Sequence, residues 1–153
     1  MRLLALSLCL LACSTQAVAA DSVAVRAIKG EFAEVRDRVA FAVESQGLVV
    51  DHTSRVGDML ERTGKDLGAG RPIFGDAEVL EFCSALTSRR MVEADVSLLA
   101  YCPYGIAVYT LPDDPMTTYV AYRLVTAGAA DAHRQVLEQV ERLLFRIVEE
   151  AAF

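Results

Sequence analysis

The chain has 153 residues, of which 54% are hydrophobic, and a net charge of −6. This length suits one domain with an ordinary hydrophobic core. Its 21 acidic residues outnumber its 15 lysines and arginines, whereas binding to nucleic acid or to an anionic membrane surface requires clustered basic residues. The composition therefore argues against both kinds of partner.

The first twenty residues, MRLLALSLCLLACSTQAVAA, are typical of a secretory signal peptide. Arg2 precedes an apolar stretch, and small residues end the segment at a predicted cleavage site near Ala20. The apolar stretch is about half the ~20 residues that a membrane-spanning helix needs. We therefore expect export to the periplasm or the medium. Residues 21–153 would then form one domain, with a net charge of −7 because Arg2 is the only charged residue removed.

The motif LLAC, which ends at Cys13, leaves a second interpretation of the leader open. It resembles a bacterial lipoprotein box, in which Cys13 would be acylated and would anchor the protein to a membrane. A signal of twelve residues would be unusually short, so the soluble exported form is favoured.

The first half of the mature chain alternates between strand and helix patterns. Residues 22–30 alternate as in a strand, and residues 31–46 have apolar residues at helical spacing before Gly47. Residues 48–54 predict a second strand and residues 56–63 a short helix. The stretch GKDLGAGRP is interpreted as a loop because it is rich in glycine and proline. A phosphate-binding loop is disfavoured, since the spacing from Gly57 is wrong and Asp66 stands where Ser or Thr is needed.

The second half predicts two further helices and a hairpin. GDAEVLEFCSALTSRR, residues 75–90, is predicted as a helix capped by Asp76, with Cys83 facing the core. Strands over 104–111 and 118–125 are joined by the turn PDDPM, and residues 131–152 form a long amphipathic helix. The predicted fold is α+β: a mostly antiparallel four-stranded sheet with helices on one face and a long C-terminal helix.

Three groups of residues resemble a known family, the small α+β proteins of domain of unknown function family 302. They are an F-x-E-V helix leading to the strand GLVV, the segment IFGDAEVLEF, and a strand containing TTYVAYR. The resemblance extends from Val25 to Val125. It implies the fold but brings no catalytic residue and no cofactor, and the two cysteines Cys83 and Cys102 are not part of the general family pattern.

Cleavage of the signal would leave only Cys83 and Cys102, in a chain sent to an oxidising compartment. Helical spacing turns Cys83 inward, and Cys102 has the strand parity of the inward-facing Ile106 and Val108. We therefore predict a structural disulfide between Cys83 and Cys102. This requires the second core helix to lie over the start of the third strand.

Other roles for these cysteines remain open at this stage. A redox dithiol is the main alternative, although the chain has no C-x-x-C motif and no Lys or His near either thiol in sequence. Two cysteines with His52 and His133 match a zinc set in number but not in spacing, and Cys102-Pro103 alone is a weak indication of a haem ligand. No metal, cofactor or catalytic residue is predicted. His52 is expected at a strand end and His133 in solvent.

The sheet face away from the helices is the candidate binding surface. Strand parity places Tyr109, Tyr119 and Arg123 on it, and Tyr101 and Arg26 are expected to join them. Aromatic and arginine side chains are typical of interfaces and small-ligand sites. Three interpretations stay open: a homodimer contact, a small-molecule site, and an ordinary half-exposed sheet face.

The sequence therefore predicts a small exported, periplasmic protein that acts as a binding or accessory module without catalysis of its own. The alternative is a thiol-based redox protein that uses Cys83 and Cys102.

Overall fold

The computed structural model describes residues 22–153, so the predicted signal peptide and the Cys13 motif lie outside the described residues. Five strands, four α-helices and one 3-10 helix follow one another along the chain. In chain order they are β1 Val23–Lys29, α1 Phe32–Ser45, β2 Val50–Ser54, α2 Val56–Asp66, β3 Ala77–Phe82, α3 Ala85–Ala94, the 3-10 helix Val96–Tyr101, β4 Tyr104–Leu111, β5 Asp114–Arg123 and α4 Asp131–Ala151.

The strands form one sheet in the order β1-β5-β4-β3-β2, with every neighbouring pair antiparallel. This confirms the predicted α+β class with an antiparallel sheet and a long C-terminal helix. The sheet has five strands rather than four. Strand β4 lies at its centre, with two strands on each side.

The additional strand is β3, in a region that the sequence analysis predicted as one helix over residues 75–90. That prediction is wrong: Ala77–Phe82 is a strand, and the helix begins only at Ala85. Its N-cap is Ser84, whose hydroxyl accepts a hydrogen bond from the Thr87 backbone N–H, and not Asp76. Burial alternates along the strand, with Leu80 and Phe82 in the core.

The hydrophobic core lies between the sheet and the helices α1, α3 and α4. Alternate residues of the central strand β4 point into it, so that Tyr104, Ile106 and Val108 are almost fully buried. Facing them are the apolar stripes that the sequence predicted for the first and last helices. These stripes are Val35, Val39, Ala42 and Val43 of α1, and Val136, Leu137, Val140, Leu143, Leu144, Ile147 and Val148 of α4.

The packing of these stripes accounts for the formation of the helices. Removing a large aliphatic side chain from water stabilises the fold by about 1.5–3 kcal/mol, which exceeds the few tenths of a kcal/mol per residue that separate helix propensities. Gly47 ends α1 with a positive φ of 73°, a conformation that glycine adopts without strain.

Within residues 22–153, no helix has the length and apolar character needed to cross a bilayer.

Candidate binding face

The sheet has one face that the core does not use, which we call the open face. It carries the strand residues that alternate with those pointing into the core. These are Val23, Val25, Ala27 and Lys29 of β1, Thr117, Tyr119, Ala121 and Arg123 of β5, Gly105, Ala107 and Tyr109 of β4, Ala77, Val79 and Glu81 of β3, and His52 and Ser54 of β2. Val23 and Val25 are 48% and 56% exposed on this face.

The three residues predicted for the binding surface, Tyr109, Tyr119 and Arg123, all lie on the open face. Tyr109 and Tyr119 are cross-strand partners whose rings stack at a centroid distance of 5.3 Å. Phe74, in the loop before β3, meets Tyr109 edge-on at 5.4 Å. The three rings together form an aromatic cluster at one end of the face.

Two further residues expected on this surface lie elsewhere. Arg26 has the parity of the buried Ile28, so it projects on the helix side, where its Nε is 3.7 Å from Glu149 Oε1 of α4. Tyr101 belongs to the 3-10 helix before β4 and packs against the core. Both predictions were wrong. The alternation of β4 was extended to Tyr101, which lies in the 3-10 helix before that strand. Arg26 was assigned to the face of β1 that is opposite to the one it occupies.

A shallow basin of about 560 Å³ lies on the open face, at the end away from the aromatic cluster. Its floor consists of Gly105, Ala107 and Ala121, which have the smallest side chains on the central strands. A Cβ atom on Gly105 would lie 3.2 Å from Cγ1 of Val79, so that any larger residue would press against the wall of the basin. The basin is therefore a consequence of small residues at adjacent positions on neighbouring strands.

Opposite charges flank the basin. Arg123 of β5 lines one side and Glu81 of β3 the other, and the Ser54 hydroxyl donates to Glu81 Oε1 at 2.9 Å. Within the described part of the chain, neither Arg123 nor Glu81 forms a salt bridge. Sequence reasoning missed Glu81 because its segment was predicted as a helix. Strand alternation from Leu80 and Phe82 would have placed it on the open face.

Cys102 lines the basin, and Cys83 lies next to it. The Sγ atoms of Cys83 and Cys102 are within covalent bonding distance, and their Cα atoms are 6.3 Å apart, inside the range that disulfides span. Strand pairing brings them together, because Phe82 and Tyr104 are cross-strand partners. Cys83 directly follows Phe82, and Cys102 lies two residues before Tyr104. The expected packing of a helix over the strand start is therefore not what juxtaposes them.

Polar groups surround Cys102 on the core side. The Ser88 hydroxyl of α3 lies 3.3 Å from Cys102 Sγ and 3.1 Å from the Tyr104 hydroxyl. Burial raises the pKa of Tyr104, and the hydrogen bond with Ser88 offsets this rise in part. Cys102 itself is half-buried and lines the basin.

The two histidines lie on separate elements: His52 is the cross-strand partner of Glu81, and His133 lies at the start of the C-terminal helix. His52 is exposed on the edge strand β2, and His133 is in the first turn of α4 with its Nε2 3.4 Å from Asp95 Oδ2. Hydrogen bonds from Ser97 lower the pKa of Asp95, with a smaller contribution from His133. No group of three or more His, Cys, Asp or Glu side chains within residues 22–153 is arranged to hold a metal ion.

A second cleft, of about 420 Å³, lies between α2 and the glycine-rich loop that follows it. Basic and acidic side chains alternate around it. Lys65 pairs with Glu61 at 2.8 Å, and Arg55 lies 3.9 Å from Asp58. Lys65 and Arg55 already face carboxylates, whereas Arg71, which also lines the cleft, forms no salt bridge within the described residues. Within that part of the chain, the cleft therefore offers a single unpaired cation to an ionic ligand.

Comparison with known proteins agrees with this architecture. The sequence profile of the family described as Domain of unknown function DUF302 matches residues 23–151. The chain belongs to this family. The resemblance noted in the sequence is thereby confirmed, and the match extends over the C-terminal helix as well.

A solved relative shares the DUF302 fold. The crystal structure of an uncharacterized conserved DUF302 protein from Bacillus stearothermophilus superposes with a TM-score of 0.72 at 16% sequence identity, covering 86% of this chain and 99% of that one. Comparison with curated proteins gave no match. Identity this low shows the common fold and leaves the role of the open face to be argued from this chain.

Proposed function

We propose that this DUF302 protein is an exported, periplasmic binding module that uses the open face of its sheet and has no catalytic chemistry of its own. The observation that carries the proposal is the arrangement on that face. A basin with a floor of small residues lies between Arg123 and Glu81 at one end of the face, and the Tyr109–Tyr119 stack lies at the other end. Exposed apolar and aromatic area beside a few polar groups is typical of binding surfaces.

The proposal also assigns a structural role to the cysteines. In an oxidising compartment, a bond between Cys83 and Cys102 would join the end of β3 to the segment before β4, and so fix the border of the basin. The lipoprotein alternative through Cys13 would change only the attachment of the domain, and would leave the open face as it is.

Hydroxyl-radical footprinting tests the binding surface. We expect Tyr109 and Tyr119 to be modified in dilute purified protein and protected in the periplasm of cells that express the full-length chain. The matched control is Phe41, which is 67% exposed and lies on α1, the helix that packs on the other side of the sheet. If both tyrosines react equally in the two samples, the open face is unoccupied and the proposal is wrong.

The second candidate function is thiol redox chemistry, and two observations favour it. A hydroxyl group contacts Cys102 Sγ, and helix α3 begins two residues after Cys83. A hydrogen-bond donor and a helix N-terminus both stabilise a thiolate. A working dithiol would be reduced by glutathione at millimolar concentration, whereas a structural bridge would resist it. Mass-shift alkylation of the exported protein distinguishes the two.

A further inference from the structure

The open face has a regular arrangement about its central strand β4. Strand pairing aligns its residues in rows across the sheet. In the second row, Ala107 lies between Ala121 and Val79, and in the third, Tyr109 lies between Tyr119 and Ala77. In the first row, Gly105 pairs with Glu81, and the β4–β5 register extended by one residue beyond Ile106 and Tyr122 brings Gly105 level with Arg123.

Each row carries unlike residues on the two sides of β4. Arg123 stands opposite the acidic Glu81, and the large Tyr119 stands opposite the small Ala77. A twofold axis that lies parallel to β4 above the sheet would exchange the two sides and leave each row at its level. A second copy related by that axis would therefore place positive over negative charge and a large side chain over a small one.

We propose that the partner of the open face is a second copy of this chain, related by a twofold axis along β4. This rests on the proposed function, because it names the occupant of the same surface. Arg123 then faces Glu81 of the partner subunit, and Tyr119 faces the partner subunit's Ala77. Both contacts occur twice, as the symmetry of a dimer requires.

The small residues on the axis support this geometry. Gly105, Ala107 and Tyr109 would each meet their own copies. The first two leave room for two sheets to pack at about 10 Å, and the two Tyr109 rings would meet each other at one end of the interface. Five strands cover roughly 24 Å, and with strands of roughly 25 Å the face measures ~600 Å², which approaches the ~800 Å² that each partner contributes to a standard interface.

Charge reversal in two separate variants tests the proposal. Arg123→Glu and Glu81→Arg each place like charges across the axis, so each should raise the dimer dissociation constant at least tenfold, as measured by sedimentation at micromolar concentration. When the two variants are mixed, every charged pair is again unlike. We expect the mixture to form a heterodimer with an affinity close to that of the wild type.

Arg62→Glu is the matched control, since it reverses an exposed arginine on α2 and should leave the dimer unchanged. Circular dichroism confirms that each variant is folded. If Glu81→Arg does not fold, Ala107→Cys replaces it: a short bismaleimide should cross-link two copies through this residue on the axis. Ala33→Cys, exposed on α1, should not cross-link.

A wild-type protein that stays monomeric to about 100 μM, or folded variants that stay monomeric when mixed, would overturn the second-copy partner. Protection of Tyr109 and Tyr119 in the periplasm would then still support the open face as a binding surface. Loss of that protection would instead contradict the proposed function.

Discussion

At the scale of single residues, Tyr104 connects the core to the cysteine pair. Its ring is 2% exposed and packs edge-on against Phe82, while its hydroxyl reaches Ser88, which also contacts Cys102. The phenol therefore has an apolar environment and a single polar contact. Both properties affect the pKa of the hydroxyl group, and therefore the stability of the protein in alkaline solution.

Replacement of Tyr104 by Phe should reduce the sensitivity of stability to high pH. Burial raises the pKa of Tyr104 in the folded protein above its value in the unfolded chain. The unfolded chain therefore loses its proton first, and the stability from this group is present below about pH 10 and lost as the pH rises toward the folded pKa. Urea unfolding between about pH 9 and pH 11 measures the slope, which should become shallower in Tyr104→Phe.

Tyr122→Phe is the companion variant, since burial also raises the pKa of Tyr122. Each variant should remove the contribution of its own tyrosine to the pH dependence of the free energy of unfolding. At neutral pH, Tyr104→Phe should cost about 0.5–1.5 kcal/mol for the lost hydrogen bond. An unchanged alkaline slope in Tyr104→Phe would contradict this account.

The positions of some open-face residues could be predicted from the sequence, and others could not. Tyr109, Tyr119 and Arg123 were placed correctly, because strand alternation has a period of two and holds as long as the strand limits are right. Glu81 was missed because its strand was not recognised. The depth of the basin also could not be predicted, since it depends on which small residues become neighbours when β3, β4 and β5 pair.

At the scale of elements, the ends of the chain were easier to predict than its middle. Helices α1 and α4 each carry apolar residues at a period that no strand shares, so their pattern is unambiguous. In the segment from Ala77 to Leu86, the apolar residues fit both a helix and a strand. Pairing of β3 between β2 and β4 decides the outcome, and tertiary context of this kind is not visible in a local window.

The beginning of α3 provides a prediction at this scale. Ser84 is 8% exposed, and its hydroxyl accepts a hydrogen bond from the Thr87 N–H at 3.3 Å. Ser84→Ala removes this cap and should lower the free energy of unfolding by about 1 kcal/mol, which chemical denaturation measures.

Thr63→Ala is the control for Ser84→Ala. The Thr63 hydroxyl donates to the Met59 carbonyl within α2, on the exposed side of that helix. Because such a bond contributes little to helix stability, the substitution should change the free energy of unfolding by less than about 0.5 kcal/mol. Equal losses in the two variants would show that Ser84 does not act as a helix cap.

At the scale of the whole molecule, the proposed bond between Cys83 and Cys102 closes a loop with a sequence separation of 19. In the chain-entropy account, a loop of this length contributes about 3 kcal/mol. Replacing both cysteines by Ser should lower the melting temperature by on the order of 10 °C. The fold should be retained, since the sheet and helices pack independently of the two sulfurs.

Alkylation and mass mapping provide the control for the double Ser variant. Protein taken directly from the export compartment should contain no free thiol at Cys83 or Cys102. Two free thiols, or a double variant with the wild-type melting temperature, would contradict a structural bridge and would favour the redox alternative.

The processing of the leader is a second prediction for the whole molecule. Small residues end the predicted signal, so we expect the exported chain to begin after Ala19 or Ala20. Intact-mass measurement of the exported protein determines this. A diacylated chain that begins at Cys13 would establish the lipoprotein alternative instead.

Strand β4 has a further consequence for protein engineering. Its even-numbered residues 104, 106 and 108 are buried in the core, whereas residues 105, 107 and 109 belong to the open face. Side chains on opposite sides of one strand do not touch each other. Ala107 and Tyr109 can therefore be randomised as a library, with Gly105 kept because a Cβ atom there would lie 3.2 Å from Val79. The even-numbered set keeps the domain folded, and the sheet becomes a scaffold on which new recognition surfaces can be selected.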